Sequence, residues 1–302
     1  MGTGGACART ELKNGVREVA CSRQKSFWPW IKETRLFAGR RAYLEFMRER
    51  GGRLYTIGDR QLPFRRPPFL LLGAWRNRPE TAAIYHVSGT AREREKLVRE
   101  VSSERTAAGV EKVVTLLLTE PSAGDYRRWG FHEVCRIVML ERSLLREIPD
   151  PDGRADGLEI EDFKPSRMQE VLEIDHSAFE PFWRLDERTL LEIAASCRYN
   201  VFLTVRVEGN TAGYVIGGAR NRLGYLQRLG VAPAFQGRGL GKILACELLR
   251  RLHDVGTVAV LVNTQDYNQA ALSLYRSLGF LERPGFRYIM GYPPPGEGKA
   301  GS

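Results

Sequence analysis

The sequence predicts an α/β chain (α+β by some schemes) of two domains, each a mixed central sheet flanked by helices. Three observations carry this reading. The last seventy residues alternate strand, helix, strand, helix, strand in their hydrophobic pattern. The segment Tyr126-Arg127-Arg128-Trp129-Gly130-Phe131 is echoed 149 residues later by Tyr275-Arg276-Ser277-Leu278-Gly279-Phe280. Between the copies runs Pro149–Asp156, with two prolines, a glycine and three acids and almost nothing to bury. At 302 residues and 43% hydrophobic, the chain is long enough for two cores.

The elements follow in order. The first twenty residues are expected to be loose. A charged helix over Arg92–Ser103, a β-rich run over Val113–Leu118, a short helix into Gly130-Phe131 and a closing strand over Glu133–Leu140 make up the first copy. In the second half, Leu158–Phe163 reads as a strand, and Pro165–Ala178 and Asp186–Ser196 as helices. Tyr199–Val207 and Thr211–Arg220 are strands joined by the turn Glu208-Gly209-Asn210. Tyr225–Val231 is a strand, and a helix runs from Gly239 to about His253. Leu240, Leu244, Leu248 and Leu252 form its buried stripe. Val258–Asn263, Gln269–Leu278 and Gly285–Gly291 complete the series as strand, helix and strand. Helix, strand, short helix, Gly-Phe and strand thus occur twice, which points to an internal duplication. The domains are then 1–150, a worn copy, and 157–292, the better-kept one. Residues 151–156 are the linker and 293–302 a disordered tail.

Several classes of function are excluded or disfavoured. No run of eighteen apolar residues exists, so a helical membrane span is not expected. The first residues lack the apolar core of a secretion signal, and the expected location is the cytoplasm. Cys7, Cys21, Cys135, Cys197 and Cys246 are odd in number, far apart and without a CxxC pair, and the four histidines stand alone. Neither a disulfide framework nor a metal site is expected. The net charge of +10 lies entirely in residues 1–155, with 29 Lys and Arg against 19 Asp and Glu; the rest balances at 17 against 17. The basic residues form no run, and Arg92-Glu93-Arg94-Glu95-Lys96 alternates in sign. Solvated surface is the plain reading, an acidic partner or substrate the next, and nucleic acid the last.

The sharpest local signal is Gln236-Gly237-Arg238-Gly239-Leu240-Gly241, between the strand Tyr225–Val231 and the leucine-striped helix. Glycines on alternate positions expose backbone N–H groups, and the helix adds its unpaired first-turn donors. Strand, glycine turn and helix seat a phosphate, or else simply let the helix approach the sheet. No glycine follows Gly241 and no acidic ribose reader follows, so a dinucleotide fingerprint is absent. Gly241-Lys242 is followed by Ile243, which offers no hydroxyl for a nucleotide-bound magnesium ion.

With Leu229-Gly230-Val231-Ala232-Pro233 before it, this turn resembles the acyl-CoA pyrophosphate loop of the GCN5-related N-acetyltransferase (GNAT) superfamily. Asn268-Gln269-Ala270-Ala271-Leu272-Ser273-Leu274-Tyr275, then Leu278-Gly279-Phe280, is similar to that superfamily's second hallmark, 32 residues on. The resemblance covers residues 157–291 fully and 65–141 in outline, an arrangement similar to tandem enzymes such as mycothiol synthase. It implies a tandem acyl-CoA N-acyltransferase fold with acetyl-CoA as donor substrate. The N–H groups of Gln236, Gly237, Arg238, Gly239, Leu240 and Gly241 would hold the pyrophosphate. Leu229, Gly230 and Val231 would pair with the pantetheine, Asn268 would contact it, and Tyr275 would protonate the leaving thiolate. Cys246, between Leu244 and Leu248, is expected to be a buried thiol rather than a nucleophile.

The acid that such enzymes carry on these strands is missing. Asn263 stands where relatives similar to the ribosomal-protein alanine acetyltransferases have a glutamate, and the other common position offers Tyr225 and Gln227. Asp175, Glu180 and Asp266 remain as acids that could end a water relay, and Asp266 also suits a cap or turn. In the first copy only Gly89 falls in the corresponding turn, Val87–Arg92, so no second CoA seat is expected there. The expected reaction is acetyl transfer from acetyl-CoA to a primary amine of a small molecule, or, as an alternative, of a protein or peptide. The reading from another class is a non-catalytic acyl-CoA-binding or nucleic-acid-associated regulatory protein. Oligomeric state is left open.

Overall fold

A computed structural model of the chain describes residues 12–58, 66–149 and 157–294. The first part of the chain holds β1 (Val16–Glu18), α1 (Cys21–Gln24), α2 (Trp28–Ile31), α3 (Arg40–Glu49), β2 (Arg53–Ile57), β3 (Phe69–Trp75) and β4 (Arg78–Val87). It continues with α4 (Ala91–Ala107), β5 (Lys112–Thr115), α5 (Glu120–Arg128) and β6 (His132–Ser143). After the linker come β7 (Leu158–Asp162), α6 (Met168–Ala178), α7 (Glu187–Ala194), β8 (Tyr199–Val207), β9 (Asn210–Arg220) and β10 (Leu223–Val231). The chain ends with α8 (Leu240–Asp254), β11 (Ala259–Gln265), α9 (Gln269–Ser277), β12 (Leu281–Glu282) and β13 (Arg287–Tyr292).

The predicted mixed sheets and the order of elements are present. The N-terminal prediction is corrected from residue 12 onward. Val16 is fully buried and β1 pairs antiparallel with β2, because an apolar residue there completes the core beneath α4. The linker 151–156 and the tail beyond 294 lie outside the described residues.

Two compact units divide the chain in a way the sequence reading did not foresee: residues 1–136 with 287–302, and residues 137–286. In the first unit β2, β3 and β4 follow β1 in antiparallel order, and β4 pairs parallel with β5. In the second, β7, β8, β9 and β10 are antiparallel neighbours and β10 pairs parallel with β11. The closing strands are exchanged. β13, at the end of the second copy, pairs with β5, with Gly291 opposite Val114, and Met290 N–H donates to Thr115 Oγ1 at 3.0 Å. Its Tyr288 and Met290 are buried with the first unit's core. The last part of β6, at the end of the first copy, pairs with β11 from Ile137 opposite Gln265 to Ser143 opposite Ala259. Its Val138 and Leu140 are buried with the second unit's core. A domain cut at residue 150 therefore separates each closing strand from the sheet it completes.

The duplication is visible in the backbone as well. Phe131 N–H donates to Tyr126 O and Phe280 N–H to Tyr275 O, each at 3.0 Å. Gly130 at φ +93° and Gly279 at φ +79° make the left-handed turn that ends each helix. Among the described residues no helix is long and apolar enough to cross a membrane, and no group of three or more His, Cys, Asp or Glu could hold a metal ion.

Candidate active site

The site in the second unit begins where two parallel strands part. β10 and β11 pair only from Leu223–Ala259 to Tyr225–Leu261. β10 then runs on to Val231 and β11 to Gln265 with no further pairs between them among the described residues. A bulge between Leu226 and Arg228 shifts the register of β10 against β9 and bends the strand. Leu229, Gly230 and Val231 stay paired with Val215, Tyr214 and Gly213 of β9, so their other edge lines the gap. Gly230 is required by packing, because a Cβ there would come within 2.7 Å of the Tyr214 ring. One backbone acceptor in this stretch is already used: Gln236 Nε2 donates to Val231 O at 3.0 Å.

The glycine turn leads from β10 into α8. Gly237 and Gly239 sit at φ +76° and +77°, a region that penalises side chains with a Cβ. Gly239 is the N-cap and has no side chain to cap with, and the first helical bond runs from Ile243 N–H to Gly239 O at 3.1 Å. The N–H groups of Leu240, Gly241 and Lys242 precede that bond and have no acceptor within the helix. Gly241 departs from expectation. A Cβ there would meet Leu274 and Leu229 at 3.4 and 3.6 Å, an ordinary contact, so the fold itself tolerates a methyl. The leucine stripe is buried as predicted, and Cys246 is fully buried beside it.

The corresponding turn of the first unit is closed. Thr90 caps α4, its N–H donates to Glu93 Oε2 at 2.7 Å, and Glu93 N–H donates to Thr90 Oγ1 at 3.3 Å. This capping box puts a carboxylate where an anionic ligand would otherwise meet the helix dipole.

Tyr275 lies on α9 and is 6% exposed, with its ring 5.7 Å from that of Phe280. Burial raises its phenol well above the usual value, against a smaller lowering by Arg228. The group is therefore protonated at neutral pH. Asn268 caps α9, its Oδ1 accepting from Ala271 N–H at 3.1 Å, so its amide oxygen is committed to the helix.

Of the candidate acids, Asp175 is corrected. It is fully buried on α6, with Oδ2 2.6 Å from Arg228 Nη2 and accepting from Tyr214 Oη at 2.5 Å. Its Oδ1 accepts from Leu185 N–H at 2.8 Å. Both carboxylate oxygens are engaged, and the carboxylate compensates a nearly buried guanidinium. Arg228 also donates to Trp183 O at 2.8 Å and lies 3.4 Å from the centre of the Phe179 ring. Burial pushes the Tyr214 phenol up. The network fixes the bulge of β10 to the segment between α6 and α7.

Asp266 sits in the turn before α9, its carbonyl accepting from Gln269 Nε2 at 3.3 Å. Glu180 is exposed and accepts from Tyr267 Oη at 3.2 Å. Tyr225 is directly opposite Leu261, so Tyr225, Leu261 and Asn263 share one face of the sheet, and Asn263 is exposed there. Gln227 Nε2 donates to Ser196 Oγ at 2.6 Å, while its Oε1 is buried without a partner. Sequence reasoning missed Arg228, Tyr214 and Tyr267. A lone arginine in an apolar strand was the one available signal, since a buried charge needs a partner.

The Acetyltransferase (GNAT) family model matches residues 168–280, which include the splayed strands, the glycine turn and Tyr275. A mycothiol acetyltransferase of Thermomonospora curvata is 30% identical over 214 residues, 63% of this chain and 71% of that protein. This chain belongs to the GNAT acetyltransferase family. A mycothiol acetyltransferase of Pseudarthrobacter chlorophenolicus is 29% identical over 175 residues, 53% of this GNAT chain and 54% of that protein. The chain thus spans about half the length of this curated relative. A tandem GNAT protein from the clavulanic acid biosynthesis pathway has the same fold at 13% identity, with a TM-score of 0.64 over 91% of this chain and 97% of that one.

Proposed function

We propose that the chain is an acetyl-CoA-dependent N-acetyltransferase acting on the primary amine of a small molecule. The observation that carries the proposal is the uncapped N-terminus of α8 beside the gap between β10 and β11. Its first-turn donors receive the pyrophosphate, and the free edge of β10 receives the pantetheine as a strand would. The thioester then lies in the gap, where a backbone N–H of β10 can hold the oxyanion. The amine attacks the carbonyl directly, so no protein nucleophile is needed, and Tyr275 gives its proton to the departing thiolate. The mycothiol acetyltransferases among the relatives favour a small acceptor over a protein one.

Calorimetry with acetyl-CoA tests the donor site, and one equivalent per chain is expected because Glu93 closes the first unit's turn. No binding near 1 mM would end the proposal. Gly239→Asp sharpens the test, since aspartate is one of the few residues that visit positive φ and its carboxylate would stand beside the first-turn donors. The positive φ should cost the fold about 1–2 kcal/mol. Acetyl-CoA affinity should fall on the order of 100-fold, because the carboxylate occupies the donors and repels the phosphates. Unchanged affinity would mean the turn serves packing alone. The exposed Asn263 in place of an acid supports a second reading, an acyl-CoA-binding protein without turnover. Release of CoA with any amine, lost in Gly239→Asp, rejects it.

A further inference from the structure

We infer that Glu180 is the base that receives the acceptor's ammonium and takes its proton, with Tyr267 aiming it; this rests on the acyl-transfer reading above. Asp175 on α6 is locked in its ion pair, and the strands offer Asn263, which cannot take a proton, where an acid would stand. Glu180 begins the turn Pro181–Trp183: Trp183 N–H donates to Glu180 O at 2.8 Å, and Trp183 O accepts from Arg228. Arg228 is three residues past the last pair between β10 and β11, so Glu180 is tied to the β10 side of the gap. Tyr267 is six residues past the last paired residue of β11 and directly before Asn268, the cap of the helix that carries Tyr275. The Tyr267–Glu180 hydrogen bond joins residues 87 apart in sequence and links the two sides of the gap. Among the described residues no lysine or arginine pairs with Glu180, so its charge is available to a ligand.

The acceptor class follows from these groups. Gln227 is the bulged residue beside Arg228, with Nε2 held by Ser196 and Oε1 buried, so it steadies the bulge rather than facing the acceptor. Asn263 lies exposed on the face that Tyr225 shares. A compact cationic primary amine is the acceptor that the exposed carboxylate of Glu180 suits.

The step balances. The ammonium gives one proton to Glu180, and the free amine forms the C–N bond. The C–S bond breaks as Tyr275 protonates the thiolate. The amide nitrogen then returns its second proton to Tyr275, and Glu180 releases its proton to water.

The test follows CoA thiol release from acetyl-CoA with glucosamine, spermidine, lysine and an alanyl peptide, using the full chain. With the best of these amines, Glu180→Gln should lower kcat/KM at pH 7 on the order of 100-fold. The remaining rate should climb tenfold per pH unit towards the amine's own pKa, while acetyl-CoA affinity by calorimetry stays unchanged. Tyr267→Phe should give a smaller loss with the same steeper pH profile, and Glu180→Asp should recover part of the rate. A Glu180→Gln profile that overlays the wild type overturns this inference alone. A wild-type chain that binds acetyl-CoA yet turns over no amine overturns the transferase reading and this inference with it.

Discussion

Asp175→Asn is expected to destabilise the second unit by about 3–5 kcal/mol, the usual result of leaving a buried charge without its partner. The carboxylate is fully buried and holds Arg228, Tyr214 and Leu185 together, whereas an amide would turn N–H donors towards a guanidinium that has none to accept. Urea unfolding followed by tryptophan fluorescence, to which the buried Trp183 of the second unit contributes, measures the loss. Asp175→Leu combined with Arg228→Met should be less damaging than either change alone, because it removes both charges. A loss below about 1 kcal/mol for Asp175→Asn would mean that the pair is hydrated and the acid free after all.

Tyr275→Phe is expected to lower kcat on the order of 100-fold and to leave acetyl-CoA affinity unchanged. The ring is packed against Phe280 and keeps its place in the variant. Burial holds the phenol protonated, and the sign of that shift makes the acid available throughout the range in which an amine becomes a free nucleophile. Single-turnover measurement separates the chemical step from product release. An unchanged single-turnover rate would assign Tyr275 to the core alone.

The parts of this structure that were legible in the sequence are local ones. The glycine turn, the leucine stripe of α8 and the Tyr-to-Gly-Phe helix ends are each written within about a dozen residues, where backbone sterics and periodicity act directly. What stayed hidden depends on residues that meet only after folding. Asp175 and Arg228 are 53 positions apart, and neither type of residue names its partner. The exchange of closing strands was hidden for a related reason. Leu140 and Met290 are both apolar residues in largely apolar strands, and such a pattern specifies burial without specifying which neighbouring strand will be paired. The open edge of β10 at Leu229, Gly230 and Val231 was expected from the family resemblance, whereas the bulge in β10 has no signature in the residues around Gln227.

The exchanged strands bear on how such a gene can change. Two copies that each kept their own closing strand could be separated by a stop codon, and either could be lost without harm to the other. Here a message truncated in the linker would give a product lacking β13, with the edge of β5 bare and the end of β6 extended towards a partner that was never made. The later half would emerge with the opposite defects. Either fragment should aggregate when made alone, and the two made together should rescue each other. The first copy thus supplies and receives a strand whatever it binds, and a change at its Thr90 turn leaves both exchanged pairings untouched.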